Sequence, residues 1–303
     1  MKTTDVLVIG AGPAGLAAAG YAARAGYNTI ALDQLSPGGQ LLLIDDLENN
    51  PGAGTVKGYE LAEKLENQAS SFGVEIEYAG ALSIKKENDR FIVNTESGEI
   101  EAKAVIAATG AKHRELGAVG EEKYQGRGVS YCATCDGPFF KGKRIVVVGG
   151  GDTALTDALY LAKLASHVTI VHRRTEYRAQ KVLVDRVKNN PNISEKLGFN
   201  VKEIVSDDGQ KVTGCILDNG ERLDTDAVFI FVGIKPNSEL FQGFCGLDKG
   251  GFIMADSMMR TDVDGLFVAG DVRNTPFRQV VTATGDGAIA AHAADEYISN
   301  LGK

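Results

Sequence analysis

The sequence predicts an α/β fold with two Rossmann-like, three-layer ββα domains, the second inserted into the first. Two glycine-rich turns, residues 10–15 (GAGPAG) and 149–154 (GGGDTA), each follow a short apolar run and precede a helical pattern. From Gly10 to Asp33 is 23 positions, and from Gly149 to His172 is also 23, so the two segments repeat one architecture. Residues 265–271 return to the pattern of the first segment. The second segment is therefore predicted to be an insertion.

Composition and charge exclude several classes of function. With 303 residues, the chain is long enough for two domains of ordinary size. The net charge of −8 argues against sequence-independent binding to nucleic acid, since phosphates require clustered cations. No apolar run is as long as a membrane span, and residues 1–5 lead directly into a strand, which leaves no room for a signal peptide. Four cysteines without an export signal indicate a reducing compartment. We therefore expect a cytoplasmic protein with no membrane contact.

The first segment has the order of a dinucleotide-binding unit. A strand is predicted over residues 5–9, the glycine turn follows it, and residues 17–25 have helical spacing. Glycines at this turn allow a pyrophosphate to approach the backbone at the helix N-terminus. A second strand over residues 29–32 ends at Asp33, whose carboxylate could accept hydrogen bonds from ribose hydroxyls. The alternative is a merely tight strand–helix turn.

The rest of the first domain is predicted from turn residues and periodicity. Residues 36–40 and 48–52 are loops, and from spacing alone either could be an ordinary one. A helix is predicted over residues 59–72, and short strands over residues 74–103. Another buried strand, residues 104–108, ends at Thr109 and Gly110. Near the C-terminus, a strand over residues 265–269 is followed by a helix over residues 283–297.

The second segment differs from the first at the end of its second strand. A strand over residues 144–148 and a helix to residue 164 flank its glycine turn, and a later strand covers residues 227–232. Where the first unit has an acid, this unit has His172, Arg173 and Arg174, with Arg178 one turn further on. Guanidinium groups bind a 2′-phosphate bidentately. The unit should therefore bind NADPH rather than NADH; the alternative is a solvated basic helix start.

Two cysteines three positions apart, Cys132 and Cys135, precede the second turn. Such a pair can close a disulfide whose opening takes two electrons, and its spacing lowers the thiol pKa of at least one member. Asp136 is placed to deliver or take the proton that thiol exchange needs. The alternative is half of a zinc site, but zinc needs four ligands. The remaining cysteines and the histidines are scattered: Cys215, Cys245, His113, His167, His172 and His292. Redox chemistry is therefore favoured, with no metal.

Together these motifs resemble the bacterial-type low-molecular-weight thioredoxin reductases, class II pyridine nucleotide-disulfide oxidoreductases, over essentially the whole chain. The resemblance rests on the two glycine turns, the Cys pair between them, residues 38–40, Glu48 and Asn49, the basic residues after the second unit's strand, and residues 270–271 and 278–279. It implies FAD bound by residues 1–114 and 243–303, NADPH bound by residues 115–242, a homodimer, and thioredoxin or a similar dithiol protein as partner.

The resemblance also implies roles for individual residues. Cys135 would face the flavin, Cys132 would attack thioredoxin, Asp136 would be the acid/base, and Arg127 would contact the partner. The implied FAD-binding residues are Gly10, Gly12, Pro13, Ala14, Gly15, Asp33, Gly38, Gly39, Gln40, Asn49, Thr109, Gly110, Gly270, Asp271, Arg278, Gln279 and Val280. The implied NADPH-binding residues are Gly149, Gly151, Asp152, Thr153, Ala154, His172, Arg173, Arg174 and Arg178.

The chain departs from the family pattern at two places. Asn50 stands where the family usually has an aromatic residue, and Thr156 and Asp157 stand where it often has two acids. Neither departure removes a group from the redox path. Two rival functions stay open: a flavoprotein of the same fold that reduces another small dithiol protein or is linked to peroxide or ferredoxin, and a non-enzymatic flavin redox sensor. A ferredoxin-driven enzyme should lack the arginines.

Overall fold

The computed structural model describes residues 1–44 and 46–301, and the chain divides into two compact units. The first unit comprises Met1–Lys112 and Lys235–Lys303, and the second comprises His113–Ile234. The unit boundaries lie two and eight residues before those expected from the sequence, after residues 112 and 234 rather than 114 and 242. Residues 302 and 303 of the predicted FAD domain lie outside the described residues. The cofactor assigned to each unit is unaffected by this difference and stays a prediction.

The first unit is built on a seven-stranded sheet with the strand order β5-β2-β1-β8-β7-β6, and β19 pairs with β8. Strands β5, β2, β1, β8 and β19 are parallel, whereas β6 and β7 are antiparallel to their neighbours. The elements of this unit are β1 Lys2–Ile9, α1 Pro13–Arg24, β2 Thr29–Asp33, β3 Asp46–Leu47, β4 Val56–Lys57, α2 Gly58–Ser71, β5 Glu75–Tyr78, β6 Ala81–Glu87, β7 Arg90–Thr95, β8 Gly98–Ala107, β19 Leu266–Val268 and α6 Val280–Asn300, with 3₁₀ turns at Gly39–Leu43, Glu239–Phe241 and Gly270–Val272.

The second unit has a parallel five-stranded sheet with the order β10-β17-β11-β12-β13 and an antiparallel sheet β14-β15-β16. Its elements are β10 Val129–Ser130, α3 Ala133–Asp136, β11 Arg144–Val148, α4 Asp152–Leu161, β12 His167–His172, α5 Lys181–Lys188, β13 Ile193–Leu197, β14 Val201–Val205, β15 Gly214–Leu217, β16 Arg222–Asp224 and β17 Ala227–Ile230, with a 3₁₀ turn at Gly137–Phe140. Two short strands, β9 Ala111–His113 and β18 Ile234–Pro236, lie where the chain passes from one unit to the other.

Alternating side chains of the central strands produce three layers in each unit. In β1, Val6 and Val8 pack into the cluster formed with α1 and α6, whereas Leu7 and Ile9 pack against residues of β7. In β11, Ile145 and Val147 pack against α4, while the alternate residues pack against the antiparallel sheet. Successive residues of a strand face opposite sides. A central strand buried on both faces is therefore apolar at every position, and the predicted fold class, two three-layer ββα domains, is confirmed.

Most predicted elements are present, and the differences concern where they begin. Helix α1 starts at Pro13, four residues before the predicted helix, because proline fits the first helical position, where no N–H is needed. Helix α6 starts at Val280, where Gln279 and Thr282 form a capping box. Part of the loop predicted at residues 36–40 enters the 3₁₀ turn Gly39–Leu43. In the described part of the chain, no helix has the length and apolar character needed to cross a bilayer.

Candidate active site

The first glycine turn is shaped by contacts that exclude side chains. A Cβ on Gly10, whose φ is +104°, would lie 2.4 Å from the carbonyl oxygen of Ala108. A Cβ on Gly15 would lie 1.8 Å from the carbonyl oxygen of Gly10. Around Gly12, in contrast, the nearest atom to such a Cβ is the Cα of Gly39, at 4.0 Å. Gly10 and Gly15 therefore close the turn, whereas Gly12 leaves space beside the start of α1.

The N-terminus of α1 suits the pyrophosphate of a dinucleotide. Gly12 is its N-cap and provides no side-chain hydrogen bond, and the first turn contains no acid. The first N–H groups of a helix have no partner within the helix and carry its partial positive charge, so they bind anions. The open space and the uncapped N–H groups fit FAD at this position.

Asp33 ties the end of β2 to this turn. One carboxylate oxygen accepts a hydrogen bond from the backbone N–H of Ala11 at 3.0 Å, and the other accepts from Leu35 N–H at 3.1 Å. The N–H of Gly38 donates to the carbonyl oxygen of Ala11 at 2.8 Å. Each carboxylate oxygen keeps a second lone pair. Asp33 can therefore position the turn and still accept a hydrogen bond from a ribose hydroxyl.

The carboxyl end of β8 brings in a residue that sequence reasoning missed. The side chain of Asn237 donates to the carbonyl oxygen of Thr109 at 2.8 Å, and the Thr109 hydroxyl donates to the carbonyl oxygen of Asn237 at 2.5 Å. The side-chain amide of Gln40 donates to the carbonyl oxygen of Ala111. Asn237 was assigned no role at this site from the sequence. It holds the predicted flavin contacts Thr109 and Gly110 in place.

The segment before α6 carries the remaining predicted flavin contacts. Arg278 stacks over Phe252, with its guanidinium carbon 4.3 Å from the ring centroid. The side chain of Asn49 donates to Gln279 Oε1 at 2.9 Å, which joins two loops that are 230 residues apart in sequence. Burial raises the pKa of Asp271 to about 6, although the Arg278 charge opposes this. The structure therefore brings together Asn49, Asp271, Arg278 and Gln279 within one unit.

A buried ion pair fixes this segment and was also missed. Asp286, on α6, is 7% exposed and accepts from Arg273 Nε at 2.7 Å and from Arg273 Nη2 at 3.0 Å. The same carboxylate accepts from the backbone N–H of Gly270 at 3.2 Å. An acid between two glycines, in the otherwise uncharged first half of the helix, was the available sequence signal. Asp286 thereby orients the turn that carries Asp271.

The second glycine turn repeats the geometry of the first, with Ala154 at the position that corresponds to Gly15. A Cβ on Gly149, whose φ is +153°, would lie 2.5 Å from the carbonyl oxygen of Phe231 and 2.7 Å from the Cβ of Ala154. No atom lies within 4 Å of a Cβ built on Gly151, which is the N-cap of α4 and provides no side-chain cap. The space and the uncapped N–H groups fit a second dinucleotide.

Three arginines surround the end of β12. Arg173, Arg174 and Arg178 are exposed, and in residues 1–44 and 46–301 none of them forms a salt bridge. Burial lowers the pKa of His172, and the positive charges of the three arginines lower it further. The three exposed guanidinium groups lie on one short stretch of chain and are therefore available to an anion such as the 2′-phosphate of NADPH.

His172 occupies a different position from the arginines. It is 5% exposed, and its ring would lie 2.4 Å from a Cβ on Gly150. Its Nε2 is buried and has no hydrogen-bond partner among the described residues. Because its pKa is lowered, the imidazole is neutral at neutral pH. His172 therefore supports the glycine turn from beneath and adds no charge to the arginine cluster.

Cys132 and Cys135 form a disulfide with a Cα–Cα distance of 5.3 Å. The backbone N–H of Cys135 donates to Cys132 Sγ at 3.2 Å, an arrangement that would stabilise a thiolate on Cys132 after reduction. The Asp136 carboxylate accepts a 2.6 Å hydrogen bond from the hydroxyl of Ser130, which is 4% exposed and was missed by sequence reasoning. Burial raises the pKa of Asp136. A nucleophilic sulfur and a proton donor thus lie at the two ends of one short helix, as its N-cap and its last residue.

The other candidate residues of the second unit are less constrained. Arg127 is exposed, and its guanidinium donates to the carbonyl oxygen of Lys123 at 2.6 Å. Cys215 is buried and Cys245 partly buried, and both are free thiols. In the described part of the chain, no group of three or more His, Cys, Asp or Glu side chains is arranged to hold a metal ion.

Comparison with known proteins extends over both units. The sequence matches the family described as pyridine nucleotide-disulphide oxidoreductase over residues 4–287. A thioredoxin reductase of Treponema pallidum is 46% identical over 303 residues, 98% of each chain. One from Bacillus subtilis is 43% identical and covers 99% of this chain and 96% of its own. The crystal structure of a thioredoxin reductase from Streptococcus pyogenes matches with a TM-score of 0.94 at 42% identity, over 99% of each chain.

Proposed function

The chain belongs to the pyridine nucleotide-disulphide oxidoreductase family, and on that premise we propose that it is a thioredoxin reductase. It transfers electrons from NADPH through FAD and the Cys132–Cys135 disulfide to the disulfide of thioredoxin. The observation that carries this conclusion is a disulfide beside a partly buried acid, in the same unit as an arginine-flanked glycine turn. The family, fold class, activity and cofactors predicted from the sequence are confirmed.

Each unit supplies the binding groups for one cofactor. FAD would be held by the turn of the first unit, by Asp33 and by the segment containing Asp271 and Arg278. NADPH would be held by the turn of the second unit, with its 2′-phosphate on Arg173 and Arg174. Bound FAD would accept hydride from NADPH and pass two electrons to the protein disulfide, chemistry that no side chain can supply.

The cysteines then perform disulfide exchange. The Cys132 thiolate attacks one sulfur of the partner disulfide, which forms a mixed disulfide and releases the other partner sulfur as a thiolate. The Cys135 thiolate then attacks Cys132 Sγ, which restores the internal disulfide and releases the second partner thiolate. Asp136 can give a proton to a leaving sulfur, because its raised pKa favours the protonated form. The partner disulfide is thereby reduced to a dithiol.

Cysteine substitutions test this assignment. Cys132→Ser and Cys135→Ser should each reduce NADPH-dependent reduction of thioredoxin to background, because either change prevents the disulfide cycle. Flavin should stay bound and still be bleached by NADPH. Cys245→Ser, which changes a free thiol of the other unit, is the control and should keep activity. Turnover near that of the unmodified enzyme in either Cys-pair variant would exclude the mechanism.

The same assay separates the rival functions. A flavin redox sensor would bind FAD without turning over NADPH and thioredoxin. An enzyme for another dithiol protein would oxidise NADPH with that protein but not with thioredoxin. The arginines after β12 favour the NADPH-driven enzyme over a ferredoxin-driven one, since only NADPH brings a 2′-phosphate. Catalytic turnover with thioredoxin is therefore the deciding result.

Partner contact and assembly complete the proposal. We assign Arg127 to thioredoxin docking because its side chain is exposed in the same unit as the Cys pair. Arg127→Ala should raise the KM for thioredoxin severalfold and leave flavin reduction by NADPH unchanged, as measured by stopped-flow absorbance. An unchanged KM would remove Arg127 from docking. We also propose that the enzyme is a cytoplasmic homodimer, in keeping with the reducing compartment that its cysteines indicate.

A further inference from the structure

The three arginines of the second unit lie in a loop without regular structure. Residues 173–180 connect β12 to α5, and Arg173, Arg174 and Arg178 are exposed within it. Long, exposed side chains on a mobile loop lose much conformational entropy when they bind an anion together. Recognition of a 2′-phosphate therefore depends on what holds this loop against the glycine turn.

The start and the middle of the loop are held by Gly198, whose backbone N–H donates to the carbonyl oxygen of Arg174 at 3.0 Å, and by two contacts with Gly150 of the glycine turn. The ring of His172 lies against Gly150, in the space that a Cβ would occupy. The backbone N–H of Arg178 donates to the carbonyl oxygen of Gly150 at 2.8 Å. The two contacts with Gly150 involve His172 and Arg178. Neither therefore fixes Gln180, the last residue of the loop.

The end of the loop is held by a pair of side chains. Asp152, the first residue of α4, accepts from the backbone N–H of Gln180 at 2.7 Å through Oδ1 and from Gln180 Nε2 at 3.2 Å through Oδ2. Both carboxylate oxygens therefore bind the loop.

We propose that Asp152 and Gln180 are positioning residues for 2′-phosphate recognition: they hold residues 173–180 on the glycine turn so that Arg173, Arg174 and Arg178 converge. This inference rests on the proposed use of NADPH. It gives Asp152 a role different from the direct nucleotide contact that the family resemblance implies, and it assigns a role to Gln180, which the sequence did not indicate.

Binding of two nucleotide probes to the FAD-loaded enzyme tests this proposal. The probes are adenosine 2′,5′-bisphosphate and adenosine 5′-monophosphate, which differ by the 2′-phosphate, and calorimetry gives each Kd. The unmodified enzyme should prefer the bisphosphate. Gln180→Ala removes only the side-chain donor and should reduce that preference by about tenfold, the effect of losing one charge-assisted hydrogen bond, whereas Asp152→Ala removes the acceptor of both bonds and should reduce it further. Gln180→Glu should reduce it at least as much, because it places a second carboxylate beside Asp152.

Conservative and control variants distinguish a positioning role from a general loss of structure in the unit. Asp152→Asn keeps an acceptor oxygen for the Gln180 N–H and should retain most of the preference. Gln210→Ala, which removes an exposed amide elsewhere in the unit, should change nothing. The double variant Asp152→Ala/Gln180→Ala should lose no more than Asp152→Ala alone, because removal of the carboxylate already breaks both hydrogen bonds to Gln180.

The outcomes distinguish this inference from the proposed function. If the unmodified enzyme shows no preference for the bisphosphate, the assignment of NADPH is wrong and the inference fails with it. If it shows the preference and the Asp152 and Gln180 variants retain it, only the positioning role is wrong. An equal loss of affinity for both probes would also overturn that role, since it would indicate support of the glycine turn in general.

Discussion

The two units share a backbone plan but close their nucleotide sites in different ways. In the first unit, the acid at the end of β2 accepts a hydrogen bond from the glycine turn itself, Asp33 to Ala11 N–H at 3.0 Å. In the second unit, the corresponding position is His172, a neutral ring that packs under Gly150. The loop after it is held by Asp152 and Gln180.

This difference shows how one architecture is adapted to two nucleotides. A carboxylate at the strand end suits ribose hydroxyls, and it is already fixed by the turn. Guanidinium groups suit a phosphate, but here they stand on the loop after the strand, which needs its own attachment. Strand order and turn geometry are common to both units, whereas the side chains at the edge of each site determine its ligand.

The largest effect is expected from substitutions at the third glycine position of each turn, which is Gly15 in the first unit and Ala154 in the second. Gly15→Ala should prevent FAD binding and destabilise the first unit by several kcal/mol, because its Cβ would overlap the Gly10 carbonyl oxygen. Ala154→Gly removes a methyl that the second unit accommodates, and should cost about 1–2 kcal/mol. FAD content and thermal melting measure both. A Gly15→Ala enzyme with full FAD content would show that the two turns tolerate side chains alike.

A smaller effect, confined to one nucleotide, should follow from loss of the arginines. Replacing Arg173 and Arg174 by Ala should raise the KM for NADPH about 100-fold or more, taking roughly 1.5–3 kcal/mol for each charge-assisted contact. The KM for NADH should hardly change, since NADH has no 2′-phosphate. Arg186→Ala, an exposed arginine on α5, is the matched control. Equal weakening of both nucleotides would make the pair structural.

The smallest effect concerns a partly buried acid in each unit. Burial raises the pKa of Asp271 and of Asp157 to about 6. The folded apoprotein then holds these protons more tightly than the unfolded chain, so the free energy of unfolding falls as pH rises from about 4 to 6. Asp271→Asn and Asp157→Asn should each stabilise the apoprotein at pH 7.5, by at most about 3 kcal/mol, and much less at pH 4.

Cofactor addition makes this comparison sharper. Asp271 is a proposed FAD contact, so the gain from Asp271→Asn should shrink or reverse when FAD is added. The gain from Asp157→Asn should persist, because Asp157 is not assigned to the flavin. Thermal melting of each variant with and without FAD, at pH 5 and pH 7.5, tests this. The expectation for Asp271 is wrong if FAD stabilises its Asn variant as much as the unmodified protein.

The sequence by itself determined the features that depend on residues close together in the chain. Apolar strands, helical spacing and glycine turns predicted both nucleotide units, since a strand buried on both faces must be apolar throughout. The Cys-x-x-Cys spacing predicted the disulfide, because three positions along one helical turn bring the two sulfurs together. The basic residues after β12 indicated NADPH from their position alone.

Only the tertiary structure decided which distant polar groups meet. Asp152 and Gln180 are 28 residues apart, and Asn49 and Gln279 are 230 apart. Ser130 and Asp136 are only six apart, yet their contact depends on how β10 passes into α3. Hydrogen bonds form within about 3 Å, and periodicity does not define positions to that precision across separate elements. The ligand classes could therefore be predicted from the sequence, whereas the residues that hold the ligand-binding groups could be identified only in the folded chain.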